Sequence, residues 1–140
     1  MTEVHTQASN QQPIMLDVVV YWRTSGIALA AVAALGIIMS LMSAGAFISG
    51  FLEFDWTHNI VHVVLAALAL TLGFTTAGAS VSRLMAKIVG IVYLLLGILG
   101  FIPPVVTLLS DMLGLHLELG ENLVHLLIGA WGVVAGFAAE

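Results

Sequence analysis

Long apolar segments alternate with short polar segments along this chain. Four runs contain no Asp, Glu, Lys or Arg, and they cover residues 24–52, 56–82, 88–110 and 122–139. A bilayer core about 30 Å thick needs about 20 residues of helix, and each run is near or above that length. The pattern therefore predicts four membrane-spanning helices, at about residues 24–50, 57–78, 83–102 and 119–138.

The composition supports a membrane protein and excludes several other classes. Hydrophobic residues make up 61% of the chain and charged residues 8%, against about 25% charged in an ordinary soluble domain. With only three Lys and Arg residues and a net charge of −5, the chain lacks the basic patch that nucleic-acid binding needs. Cysteine is absent, which excludes disulfides, thiolate nucleophiles and cysteine-ligated metal sites.

An internal repeat predicts how the four spans are organised. Residues 26–36 align with residues 90–100 at an offset of 64, with both terminal glycines matched. At an offset of 63, the segment His-Asn-Ile-Val-His at 58–62 aligns with Glu-Asn-Leu-Val-His at 121–125. A polar tail over 1–16, which we expect to be flexible, thus precedes two helical hairpins, at 17–78 and 79–140.

The fold class that follows is an all-α membrane protein. Its four transmembrane helices form two tandem parallel helical-hairpin repeats. A unit of two spans returns the chain to its starting side, so both copies insert in the same orientation. Repeats of this kind are related by an axis along the membrane normal.

The few charges predict the orientation in the membrane. Arg23, Arg83 and Lys87 fall at one end of the spans, and the loops at the other end are acidic. The positive-inside rule places both termini in the cytoplasm of a protein integral to the inner membrane. The acidic loops 50–57 and 103–118 then lie on the outer side. We expect the proline pair at 103–104 to end or kink the third span, and residues 105–115 to form a short interfacial helix.

Candidate ligands lie at the outer ends of the second and fourth spans. His58 and His62 share one helix face, and Glu121 and His125 repeat that spacing. On the helix faces that carry His62 and His125, the residues deeper in the span are small. Small residues allow helices to pack closely, so we expect both histidines to face neighbouring helices and not lipid. If the two halves pack together, these four side chains converge.

Two kinds of cofactor fit this set. His58, His62, Glu121 and His125 are ligand types that bind Zn²⁺, Cu²⁺ or Fe²⁺. Alternatively, His62 and His125 can be axial ligands of a haem- or chlorophyll-type tetrapyrrole. The methionines near the outer ends could add soft copper ligands; these are Met39, Met42 and Met112. The sequence requires no cofactor.

A structural role is the competing interpretation of the same residues. His62 and His125 can hydrogen-bond across the repeat, for example to Asn59 or Asn122, and such bonds need no ligand. The sequence shows no Ser-His-Asp arrangement, phosphate-binding loop or paired catalytic carboxylates, so we expect no enzyme.

The motifs resemble those of a known family. The segment His-Asn-Ile-Val-His-Val-Val at 58–64, then Arg83, the glycine-flanked run 90–100 and Glu-Asn-Leu-Val-His-Leu-Leu-Ile-Gly at 121–129 are similar to the bacterial membrane-protein family DUF4383. The resemblance covers about residues 24–138. The chain departs from the family pattern at Ala66, where glycine is frequent, and at Glu121, where aspartate is common. The resemblance implies a four-span architecture and no established activity.

The sequence supports three hypotheses on function. The first is a non-enzymatic structural or accessory subunit in the lipid bilayer, packing against other membrane proteins or copies of itself. The second is a metal- or tetrapyrrole-binding module. A third is a permeation path for protons or small solutes, which would need a hydrated route across an apolar midplane.

Overall fold

A computed structural model gives the architecture, and it describes residues 13–42, 46–48, 51–75 and 77–138. A short 3-10 helix at Ile14–Leu16 precedes five α-helices and one small antiparallel β-hairpin. The elements are α1 (Val18–Leu41), β1 (Ala46–Ile48), β2 (Leu52–Glu53), α2 (Trp56–Phe74), α3 (Ala79–Leu99), α4 (Pro103–Leu113) and α5 (Leu119–Phe137). Helices α1, α2, α3 and α5 are long and apolar enough to cross a membrane, which confirms the prediction of an α-helical protein with four spans.

The first predicted span, 24–50, is wrong at both ends. Helix α1 begins earlier, at Val18, because the Asp17 carboxylate caps it by accepting hydrogen bonds from the backbone N–H groups of Val19 and Val20. It ends at Leu41, and the next residues that the structure describes form β1, which pairs with β2. Hydrophobicity alone does not distinguish the apolar residues of β1 from those of the helix.

The remaining spans are shorter or shifted relative to the predicted 57–78, 83–102 and 119–138. Helix α2 ends at Phe74, α3 runs from Ala79 to Leu99, and α5 ends at Phe137. Both prolines lie in the first turn of α4, where a missing N–H donor costs no helical hydrogen bond. Helix α4 thus starts two residues before the predicted segment 105–115. It ends at Gly114, whose left-handed conformation (φ 64°) caps it.

Each long hairpin is held together by glycines at the helix–helix contact. Helix α1 packs along α2, and α3 packs along α5. Added Cβ atoms at these glycines would run into the partner helix, so the backbones approach more closely than other residues allow. The same kinds of contact occur in both hairpins: Gly26 with Leu70 and Gly90 with Val133, Gly36 with Asn59 and Gly100 with Asn122, Gly73 with Arg23 and Gly136 with Lys87.

Larger side chains make several of the contacts between the two hairpins. The Trp22 indole donates a buried hydrogen bond to the Ser82 carbonyl oxygen at 3.0 Å. The Tyr21 ring packs edge-on against Trp131, with ring centroids 5.6 Å apart. The relation of the hairpins as parallel repeats about a membrane-normal axis stays a prediction.

Candidate metal centre

Three histidines meet at one end of the bundle, where α2 and α5 begin, which we call the histidine end. His58, His62 and His125 are each no more than 5% exposed. Each offers one ring nitrogen, and these nitrogens lie within 4.8 Å of one another. The structure thus brings His125 next to two histidines that lie 63 and 67 residues earlier in the sequence, and it buries all three within the helix bundle.

Helix geometry explains how the cluster forms. Asp55 caps α2 and accepts the His58 backbone N–H at 2.7 Å, which fixes the first turn that carries His58. His62 follows four residues later on the same face, and the two rings are 4.3 Å apart. His125 comes from α5, with its ring centroid 6.0 Å from that of His58 and 6.5 Å from that of His62.

Glu121 lies behind this cluster and is also buried, at 4% exposure. Its Oε1 atom is 3.3 Å from His58 Nδ1, although the angles at this contact are not those of a hydrogen bond. Its Oε2 atom accepts the Glu118 backbone N–H at 2.9 Å, which completes the capping box at the start of α5. Glu121 therefore contacts His58 but is not part of the group whose ligand atoms all lie within 4.8 Å of one another.

The three histidines surround a small cavity of about 110 Å³. Tyr93 also lines it, and its ring packs edge-on against His125 with centroids 4.9 Å apart. The rest of the lining is apolar: Val61, Leu65, Val92, Leu96, Leu115 and Leu117. Sequence analysis missed Tyr93, because it comes from α3 and carries no motif of its own.

The donor set fits a transition-metal ion. Imidazole nitrogens bind Zn²⁺ at 2.0–2.1 Å, which puts the nitrogens of a tetrahedral site about 3.4 Å apart. The ring nitrogens now lie up to 4.8 Å apart. Bringing them to the spacing of a tetrahedral site needs ring movements of about 1 Å, which small side-chain rotations can supply. The Nδ1 atoms of His58 and His125 are buried and have no hydrogen-bond partner among the described residues. Glu121 behind His58 matches the carboxylate that commonly orients a metal-ligating histidine through its second nitrogen.

The tetrapyrrole alternative fits less well. Pockets for larger organic ligands have volumes of about 300–1,000 Å³, several times that of this cavity. The predicted methionine ligands also lie apart from the histidines. Met42 and Met112 are both 71% exposed, and neither they nor Met39 lines the cavity.

The asparagines of the repeated motif bond within their own hairpins. The Asn122 side-chain amide donates to the Gly100 carbonyl oxygen at 2.8 Å, and the Asn59 amide donates to Ser40 Oγ at 3.0 Å. Their donors therefore join the helices of each hairpin, not the histidines across it as the structural interpretation suggested. The asparagines act as interhelical links beside the cluster.

A second polar set lies in the loops at the histidine end. His116 Nε2 is 3.2 Å from Ser110 Oγ, and His116 Nδ1 is 3.6 Å from Asp55 Oδ2. No Ser-His-Asp arrangement is expected from the sequence, and this set of Ser110, His116 and Asp55 corrects that expectation. Ser110, however, lies in the last turn of α4, where the backbone groups left free by the helix are carbonyls. A nucleophilic serine needs nearby N–H donors to stabilise an oxyanion, and this turn does not supply them. The His116 side chain is 54% exposed, so we interpret the set as a tether between loops.

The fold and the site together indicate a class of protein: an α-helical protein with four candidate membrane spans and a buried histidine cluster at one end. Within that class, residues 83–140 match the model of a family described as Domain of unknown function (DUF4383). The match covers most of α3 and all of α4 and α5, and it supports the resemblance to this family that the sequence motifs predict. No curated protein and no solved structure matches the chain.

Proposed function

We propose that this protein binds one first-row transition-metal ion inside the membrane region, with His58, His62 and His125 as ligands. The observation that carries the proposal is the convergence of three buried imidazoles, from two helices, on one small cavity. Buried polar groups are costly unless they are paired or bind a ligand. A metal ion would satisfy the buried Nδ1 atom of His125, which has no hydrogen-bond partner among the described residues.

Charge supports the same assignment. Three neutral imidazoles leave the two positive charges of a divalent ion uncompensated. Glu121 faces His58 from behind, and Asp55 accepts the backbone N–H of the same residue. Two carboxylates near one ligand balance a divalent cation in a medium of low dielectric constant. Three protein ligands also leave a coordination position open toward the cavity, as in many Zn²⁺ sites that bind water or a substrate.

Metal titration with matched variants tests the proposal. The purified, chelator-treated protein is titrated with Zn²⁺ in detergent, and bound metal is counted by elemental analysis. We expect one ion per chain and at least a tenfold loss of affinity in His62→Gln and His125→Gln, which retain polar side chains of similar size. His5→Ala, in the polar tail, is the control and should bind like the wild type. Equal binding by all four proteins, or no binding, contradicts the proposal.

A subunit role is a second candidate, and a different surface favours it. An apolar groove of about 340 Å³ runs between α1 and α2, lined by Ala30, Ala33, Ala34, Ile37, Val63, Ala66, Ala67 and Leu70. Small residues on an exposed helix face allow another helix to approach closely. Filling the groove with Ala67→Leu should release a partner that co-purifies with the protein. Ala130→Leu, an exposed alanine of α5, should retain it.

The orientation is also a proposal. All Lys and Arg residues, namely Arg23, Arg83 and Lys87, lie near the start of α1 or in the first half of α3, at the end opposite the histidines. The positive-inside rule then puts the histidine end on the outer side of the inner membrane. Because the chain has no cysteine, Ser110→Cys and Ser80→Cys give single labels at opposite ends. In intact cells an impermeant maleimide should label the first and not the second; the reverse result inverts the orientation.

A further inference from the structure

The segment between α4 and α5 forms the wall of the cavity at the histidine end. We call residues 114–118 the strap. Leu115 and Leu117 line the cavity, and Leu117 is only 6% exposed. Gly114, with its left-handed backbone, is where the strap leaves α4. The strap is therefore the part of the cavity wall that belongs to a loop; the other lining residues come from α2, α3 and α5.

Two carboxylates join the strap to the turn that carries His58. Asp55 uses one oxygen to accept the His58 backbone N–H at 2.7 Å and the other to accept the His116 backbone N–H at 3.3 Å. Glu121 accepts the Glu118 backbone N–H at 2.9 Å, and its second oxygen lies 3.3 Å from His58 Nδ1. A displacement of the strap must therefore break hydrogen bonds to the same two carboxylates that contact His58.

The His116 side chain adds a further link that involves none of the three histidine ligands. It reaches Ser110 of α4 with one ring nitrogen and Asp55 with the other. Because this side chain is half exposed, its removal leaves the buried packing of the cavity unchanged. His116 is thus well placed to hold the strap closed without contributing to the binding site itself.

The far side of the cavity is closed by packed side chains. Leu29, Ala66 and Tyr93 form one buried apolar cluster, with exposed fractions of 3–5%. A hydrated cation would have to pass this cluster to leave toward the basic end, at a high desolvation cost. Acidic residues lie in the strap or beside it instead: Glu118 within it, Asp111 shortly before it in sequence, and Asp55 in contact with His116.

From these contacts we infer that the strap is a gate through which a divalent cation exchanges between the histidine cavity and the histidine end of the bundle. The links of His116 to Asp55 and Ser110 hold this gate closed. The inference rests on the proposed metal site. A gate changes the barrier to exchange without changing the bound state, so opening it should raise the association and dissociation rates by the same factor.

The first experiment measures Zn²⁺ release from the loaded full-length protein into excess EDTA by stopped flow. His116→Ala should release Zn²⁺ about tenfold faster, equivalent to about 1.4 kcal/mol in the barrier, while the dissociation constant stays within about threefold. Ser110→Ala should show a smaller acceleration. Thr107→Ala is the matched control, since its hydroxyl bonds to Pro103 within α4 at 3.1 Å and takes no part in the tether.

A metal-independent readout separates failure of the gate from failure of the metal site. In Leu117→Cys the new thiol replaces a buried strap residue, and adding His116→Ala should accelerate its labelling by a maleimide about tenfold. Unchanged labelling and unchanged release overturn the gate. A larger dissociation constant for Zn²⁺ in His116→Ala, with an unchanged association rate, also overturns the gate, because His116 would then act as a ligand. If the protein binds no Zn²⁺ at all, the proposed function fails whatever the labelling shows.

Discussion

Gly90 provides a direct test of how α3 and α5 pack. A Cβ atom at this position would lie 2.6 Å from the Val133 backbone nitrogen and 2.7 Å from the Gly132 carbonyl carbon. Ordinary contacts start at 3.4 Å, so Gly90→Ala must push the two helices apart locally by about 0.8 Å. Because the obstructing atoms are backbone atoms of α5, no side-chain rotation can relieve the clash.

The size of the effect follows from two opposing terms. Overpacking of a closely packed contact costs about 1–3 kcal/mol, whereas replacing glycine by alanine within a helix gains about 1 kcal/mol at most. We therefore expect Gly90→Ala to lower the free energy of unfolding by about 1–2 kcal/mol. This is a 5- to 30-fold change in the ratio of folded to unfolded protein.

The assay is equilibrium unfolding by sodium dodecyl sulfate in mixed micelles, followed by circular dichroism. Gly78→Ala serves as the control, because an added Cβ there has only Ser80 Oγ nearby, at 4.0 Å. The control should stay within about 0.5 kcal/mol of the wild type. If Gly90→Ala is as stable as the wild type, or if Gly78→Ala loses as much, the close approach of α3 and α5 is refuted.

Three further substitutions test other contacts by the same unfolding assay. Asn122→Leu removes the hydrogen bond to the Gly100 carbonyl oxygen and should cost about 0.6–1.7 kcal/mol, the range measured for interhelical bonds in membranes; no loss would show that this bond does not join α3 to α5. Trp22→Phe keeps most of the ring but loses the buried bond to Ser82, so we expect a loss of about 0.5–1.5 kcal/mol and weaker association of the hairpins. Asp17→Ala removes the N-cap of α1 and should cost about 1 kcal/mol, whereas Asp17→Ser, which also caps, should cost much less.

The number and nature of the spans could be predicted from sequence because they depend on composition over long windows. Charge-free runs are enough to identify helices that bury their backbone hydrogen bonds in lipid. The ends of α1 were not predictable in this way. They depend on the Asp17 cap and on the apolar residues of β1, and an average over hydrophobic residues contains neither signal.

The candidate site was partly predictable for a related reason. The i,i+4 spacing places His58 and His62 on one helix face. The small residues beyond His62 and His125 indicate which helix faces are buried. Tyr93 and His116 were not predictable, because each joins the site through the three-dimensional path of another element. A single residue without a repeated pattern gives no sequence signal of such proximity.

Metal-edge X-ray absorption of the protein purified from its own membranes tests the central claim most directly. We expect one bound transition metal with three imidazole nitrogens at about 2.0–2.1 Å, and loss of this signal in His62→Gln and His125→Gln. A metal-free protein contradicts the claim, as does a metal whose spectrum is the same in both variants.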